Sequence, residues 1–152
     1  MAWLPMQSIH PLVVHFPIAL LLAAVALEVV AVVAKRPGLH AVSLWNLWLG
    51  TLGAAAAVLT GWQAEEAAIH SMAIHEVMEW HERLGLATLS LAALVIAVRL
   101  WKRDQLSERL RTGLLILMVA MTGTVAIGAH LGGRLVYEFG VGSAVLKPAG
   151  GI

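Results

Sequence analysis

The chain has 152 residues, of which 60% are hydrophobic and 12% are charged. This composition excludes an ordinary soluble domain, and a formal net charge of +1 gives no indication of a nucleic-acid surface. The absence of cysteine excludes disulfides, covalent c-type haem attachment, iron–sulfur clusters and thiolate metal sites. We therefore expect an integral membrane protein.

Four long apolar segments occupy most of the chain: 11–34, 43–62, 82–101 and 112–131. Each is close to the ~20 residues that a helix needs to cross a hydrocarbon core of ~30 Å. Short connections make consecutive helices antiparallel neighbours. The predicted fold is an all-α integral membrane four-helix bundle with up-down-up-down topology, forming one domain over residues 1–152. No internal repeat is strong enough to support an argument.

The first segment opens with two histidines and two prolines, in the motif His10-Pro11-Leu12-Val13-Val14-His15-Phe16-Pro17-Ile18. No Lys or Arg precedes this segment and no small-residue cleavage site follows a short core, so we interpret it as a retained span and not as a signal peptide. A histidine just inside a span is costly unless a group binds it. The motif therefore indicates a functional site.

Basic residues cluster beside the first and third connections. They are Lys35, Arg36, Arg99, Lys102, Arg103, Arg109 and Arg111. The positive-inside rule places both connections in the cytoplasm. We therefore expect a multi-pass protein of the bacterial inner membrane with both termini in the periplasm. The connection over 63–81 is rich in Glu and lacks basic residues, which predicts a short amphipathic helix at the periplasmic interface.

Three histidines in three different spans are predicted to lie at one height. Counted from the cytoplasmic ends at ~1.5 Å per residue, His15, His81 and His130 fall within a few ångströms of one level near the outer face. Imidazoles from the helices of a bundle are typical ligands of b-type haem. We expect His81 and His130 as the axial pair, because their spans are neighbours, with His15 as an alternative ligand.

Polar residues near that level are candidate partners for haem propionates. They are Arg83, Arg134 and Tyr137. Gly128 and Gly132 lie four residues apart, which is typical of close helix packing but would also clear space for a flat ligand beside His130. Both interpretations stay open at this point.

A copper or zinc ion is the competing ligand for the same imidazoles. The candidate ligands for it are His81, His130, His15, His10, His75 and His70. A third hypothesis is a cofactor-free accessory subunit of a larger membrane complex. No nucleophile with a matched base and no phosphate-binding loop is evident, so a non-catalytic subunit is favoured over an enzyme.

Glu28 is the one acidic residue well inside a span. A structural role is expected for it, with Arg99 as a candidate ion-pair partner. His40, in the connection after the first span, is expected to be solvated, and Met118 and Met121 are expected to be packing residues.

The motif at 10–18, together with Gly-Gly-Arg-Leu-Val-Tyr-Glu-Phe-Gly-Val-Gly at 132–142, resembles the bacterial four-span membrane proteins of domain-of-unknown-function family 2231. The resemblance covers essentially the full chain. The segments 60–62, 81–85 and 128–133 are similar to those membrane domains of the family that accompany cytochrome c modules. This resemblance implies bound haem and redox chemistry with a periplasmic partner, and on matching positions it points to His15, His81 and His130. We expect the implied electron partner to be a separate membrane or periplasmic subunit.

Overall fold

The computed structural model describes residues 6–66, 71–102 and 105–141. It contains four α-helices: α1 (Met6–Val33), α2 (Gly38–Glu66), α3 (Met72–Lys102) and α4 (Glu108–Tyr137). Each is long and apolar enough to cross a membrane. The predicted all-α fold with four candidate spans is confirmed.

The predicted separate helix over 63–81 is wrong. Its two ends belong to α2 and α3, while residues 67–70 lie outside the described part of the chain. The segment is rich in Ala, Glu, Met and Ile and has no Gly or Pro, and its residues 63–66 and 72–81 continue the flanking helices. The hydroxyl of Ser71 accepts a hydrogen bond from the Ile74 amide at 3.3 Å, which supports the start of α3.

The four helices form two closely packed hairpins. α1 packs along α2 and α3 packs along α4, whereas α2 meets α3 and α1 meets α4 over smaller areas. α1 and α3 run in the same direction at diagonal positions. We call the end with the α1–α2 and α3–α4 connections the turn end, and the opposite end the terminal end.

Glycine permits the close approach of α1 and α2. A Cβ atom added at Gly50 would lie 2.8 Å from the Cδ2 atom and 3.2 Å from the backbone nitrogen of Leu21. At Gly53 it would lie 3.2 Å from the ring of Pro17. Small residues allow helix backbones to approach in a membrane, where the hydrophobic effect gives little drive for helix association.

The two hairpins are equivalent in register. Residues of the first hairpin correspond to residues of the second that lie 71 positions later (92 minus 21, 118 minus 47). Buried positions match under this offset, and the matching pairs are Leu21 with Ala92, Ala24 with Val95, Val25 with Ile96, Leu47 with Met118, and Ala54 with Val125. A two-fold axis parallel to the helices, as in membrane proteins with parallel internal repeats, would produce this pattern. Met118 and Met121 are packing residues of this core, as predicted.

Candidate functional site: a histidine pair across the bundle

Two histidines meet across the centre of the bundle near its terminal end. The ring centres of His10 in α1 and His81 in α3 are 6.1 Å apart, and their planes are inclined by 86°. Both side chains are half-buried. Because α1 and α3 are diagonal, this pair joins the two hairpins. The two residues are themselves equivalent under the offset of 71 positions.

The Nδ1 atom of each ring has a partner on the adjacent helix of its own hairpin. His10 Nδ1 lies 3.1 Å from the hydroxyl oxygen of Thr60. That hydroxyl is oriented toward carbonyl oxygens of the preceding turn of α2 at 3.0 and 3.1 Å, so its proton is engaged and its oxygen accepts from the imidazole. His81 Nδ1 donates to the carbonyl oxygen of Gly128 at 2.8 Å.

These partners determine the tautomer of both rings. A neutral imidazole that donates from Nδ1 carries no proton on Nε2, so each Nε2 lone pair is available to a ligand. His10 also forms a hydrogen bond with the backbone of Ala57, the position equivalent to Gly128. Metal-binding histidines are typically oriented in this way by a partner on their second nitrogen.

A glycine lies against each imidazole. A Cβ atom at Gly61 would be 3.3 Å from the Cε1 atom of His10, and one at Gly132 would be 3.0 Å from the Cε1 atom of His81. Gly61 and Gly132 are again 71 positions apart. Gly132 thus leaves room for the His81 ring, and Gly128 supplies the carbonyl that orients it.

The predicted layer of three histidines does not converge in the structure. His15 and His130 are exposed on the outside of the bundle, and the His15 ring is hydrogen-bonded to the carbonyl of Pro11 in its own helix. His15 lies five residues after His10, which turns it by about 140° around the helix at 3.6 residues per turn. The imidazole neighbour of His81 is therefore His10. Ligand roles for His15 and His130 stay predictions that this geometry does not favour.

The predicted propionate partners lie on the surface. The guanidinium group of Arg83 forms an ion pair with Glu79, and that of Arg134 forms one with Glu138 at 2.9 Å. Tyr137 is 88% exposed. No hydrogen bond or ion pair joins these residues to the histidine pair within the described chain, and their propionate roles stay predictions.

The remaining candidate metal ligands add no third donor to the pair. His75 is exposed, and His70 lies outside the described residues. Over residues 6–66, 71–102 and 105–141, no three His, Asp or Glu side chains are grouped so that they would hold a metal ion. The pair therefore offers two imidazole nitrogens.

The predicted ion pair of Glu28 and Arg99 is confirmed at the turn end of the bundle. The expectation that His40 is solvated is wrong: it is half-buried and joins the ion pair, with its Nδ1 atom 3.1 Å from the carboxylate of Glu28. Sequence reasoning also missed the hydrogen bond from the indole of Trp62 to Glu82, which links α2 to α3 beside the histidine pair. The sequence signal for the contact between His40 and Glu28 was the isolated acid within an apolar span.

Comparison with known proteins gives one finding. The family model described as a predicted membrane protein (DUF2231) matches residues 6–145. No curated protein matches, and no solved structure matches.

Proposed function

The chain belongs to the DUF2231 family of predicted membrane proteins, and from this premise we propose that it is an electron-transfer subunit that holds b-type haem between its hairpins through His10 and His81. The observation that carries the proposal is the pair of imidazoles that meet across the bundle centre, each held at Nδ1 by the adjacent helix of its own hairpin. These ligands replace the pair of His81 and His130 expected from helix depth alone.

The spacing of the two rings is compatible with both imidazoles binding one metal atom. Two imidazole nitrogens at about 2.0–2.1 Å from a metal place their ring centres roughly 6 Å apart. The observed separation of 6.1 Å agrees with this value. The hydrogen bonds at Nδ1 hold the rings in the tautomer that coordination requires.

The number of donors favours haem over a free ion. A tetrahedral zinc site needs four donors, and the described residues bring two imidazoles together here. A haem carries four nitrogen donors of its own, so two histidines would be enough to hold it. Bound haem would supply one-electron redox chemistry in the membrane. His10 and His81 bind the iron in this proposal, and Thr60 and the Gly128 carbonyl orient them.

The charge distribution supports an orientation for this subunit. Basic residues lie beside the turn end, so the positive-inside rule assigns that end to the cytoplasm of a bacterial inner membrane. The terminal end, with the histidine pair, then faces the periplasm. An electron partner in this arrangement is a separate periplasmic or membrane subunit, such as a cytochrome c. The described residues offer no nucleophile paired with a base, which favours electron transfer over catalysis.

The proposal is tested by spectroscopy of protein purified in detergent from its native membrane. We expect a b-type absorbance spectrum on dithionite reduction and about one haem per chain in a pyridine haemochrome assay, as two axial imidazoles per site predict. His10→Ala and His81→Ala should each abolish the spectrum. His15→Ala and His130→Ala are the matched controls, since each removes an exposed imidazole, and they should retain it.

Chromatography and circular dichroism of every variant establish that the helices form. A spectrum without haem from the wild-type protein, or loss of haem in the control variants alone, would contradict the assignment. Elemental analysis of the same samples detects copper or zinc. Absence of haem and of both metals would favour a structural accessory subunit.

A further inference from the structure

A second diagonal contact lies at the turn end, roughly 27 Å from the histidine pair at 1.5 Å per residue. Glu28 follows His10 by 18 residues and Arg99 follows His81 by 18 residues. The carboxylate and the guanidinium form an ion pair, with the two residues 1% and 8% exposed. Because so little of either residue is exposed, the polar atoms of this ion pair need hydrogen-bond partners within the protein or from a ligand.

Two further side chains extend this contact, so that each helix contributes one residue to a turn-end cluster of Glu28, His40, Arg99 and Arg111. His40 donates from Nδ1 to the carboxylate of Glu28 at 3.1 Å. Its Nε2 atom lies 3.3 Å from Nη1 of Arg111, which donates to it. With His40 neutral, two guanidinium groups face one carboxylate. The cluster carries an excess of one positive charge.

Two buried atoms of the cluster have no hydrogen-bond partner among the described residues. They are Oε2 of Glu28 and Nε of Arg99. One is an acceptor and the other a donor. Leaving a buried polar atom of a charged group unsatisfied is unfavourable, and such atoms in folded proteins are usually met by water or by a ligand.

A cavity of about 430 Å³ adjoins the cluster. The four cluster residues line one part of it. Apolar side chains line the remainder, namely Ala41, Leu44, Leu100, Leu106 and Leu114. A cavity with a charged part and an apolar part suits an amphiphilic ligand with an ionic head and a hydrocarbon body.

We propose that this cavity binds a phosphate group with a hydrogen-bond donor beside it, as in the headgroup of phosphatidylethanolamine. Phosphate oxygens accept from Arg99 and Arg111, because guanidinium groups form strong charge-assisted hydrogen bonds with phosphate. The ammonium group beside the phosphate donates to Oε2 of Glu28. The phosphate then lies beside the guanidinium groups and the ammonium beside the carboxylate, so each charge of the headgroup meets an opposite charge, and the leucines contact the acyl chains.

The test measures ligand binding to the delipidated wild-type protein in detergent by native mass spectrometry. The probes are phosphatidylethanolamine, phosphatidylcholine, diacylglycerol and inorganic phosphate. Phosphatidylcholine retains the phosphate, but its quaternary ammonium cannot donate to Glu28. We expect phosphatidylethanolamine to bind on the order of tenfold more tightly than phosphatidylcholine, the effect of one charge-assisted hydrogen bond, and diacylglycerol not to bind specifically.

Two variants of α4 locate the binding. Arg111→Gln removes a guanidinium from the cluster, whereas Arg109→Gln makes the same charge change at an exposed position nearby. We expect an affinity loss on the order of tenfold in Arg111→Gln and no change in Arg109→Gln. If Arg111→Gln does not fold, the comparison of the two phospholipids in the wild-type protein decides the question.

Equal binding of phosphatidylethanolamine and phosphatidylcholine, or equal losses in the two variants, would overturn the proposal. Binding of inorganic phosphate that depends on Arg111 would support the phosphate site and assign it to the free ion. Loss of phospholipid binding in Arg111→Gln alone, with no binding of inorganic phosphate, would assign it to the lipid. None of these results depends on haem, because the two sites lie at opposite ends of the bundle.

Discussion

Gly132→Ala is the sharpest test of how the His81 ring is held. The added Cβ atom would lie 3.0 Å from Cε1 and 3.5 Å from Nδ1 of that ring. The ring cannot withdraw freely, because its Nδ1 atom donates to the Gly128 carbonyl at 2.8 Å. Overpacking of this kind destabilises proteins by about 1–3 kcal/mol. The gain from replacing glycine by alanine in a helix is about 0.8–1.0 kcal/mol and opposes it.

Substitution of the neighbouring residue, Gly133, separates the cost of overpacking from the gain in helix propensity. A Cβ atom at Gly133 meets nothing within 4 Å, so Gly133→Ala should show the helix gain alone. We expect Gly132→Ala to be less stable than Gly133→Ala by about 1–3 kcal/mol, the overpacking term that only one of them carries. Unfolding of both variants in detergent with increasing SDS, followed by circular dichroism, measures this difference. Equal stability of the two variants would refute the reasoning, since it would mean that His81 is not confined by position 132.

Three further substitutions test other contacts. Arg99→Gln should destabilise the bundle by about 3–5 kcal/mol in SDS unfolding, because it leaves the buried Glu28 carboxylate without its cation. The double variant with Glu28→Gln should recover part of this loss, and no recovery would contradict the pairing. Ser107→Ala should lower stability by about 0.5–2 kcal/mol through loss of the N-terminal cap of α4, and an unchanged unfolding midpoint would show that the cap contributes nothing. Thr60→Val removes the hydroxyl that accepts from His10, and in the proposed site it should weaken haem affinity by about 10–100-fold in a haemin titration. Unchanged affinity would show that this hydrogen bond does not orient the imidazole.

The number of helices and their class follow directly from the sequence. Apolar segments of membrane-spanning length leave a bundle as the consistent fold, since every backbone group in a bilayer must be hydrogen-bonded within the protein. The ion pair of Glu28 and Arg99 could be predicted for a related reason. A lone acid in an apolar helix requires a partner, and few basic residues lie at the same depth.

The histidine pair could not be predicted from depth. Counting residues gives height along a helix, but the direction of a side chain depends on rotation by about 100° per residue. Counting from the cytoplasmic ends places His15 level with His81, but in the structure Glu28 pairs with Arg99 and His10 with His81, so the counted ends are not equivalent. His15 lies about 7.5 Å along the helix from the level of His81 and is turned away from the centre, to which His10 is directed. The equivalence of the two hairpins could not be predicted either, because residues at equivalent positions are both buried but are mostly of different amino-acid types. Leu21 and Ala92 are examples of such positions.

The register of 71 positions has a consequence for charge. In an assembly of two identical hairpins around an axis, the residue at position 28 would meet its own copy, and two glutamates or two arginines would repel each other in an apolar interior. One chain that carries both hairpins is free of that restriction. It keeps histidine at both His10 and His81, the two like ligands of the proposed haem site, and places opposite charges at Glu28 and Arg99. The two hairpins therefore carry the same residue at the histidine pair and opposite charges at the ion pair. The ion pair distinguishes one hairpin from the other.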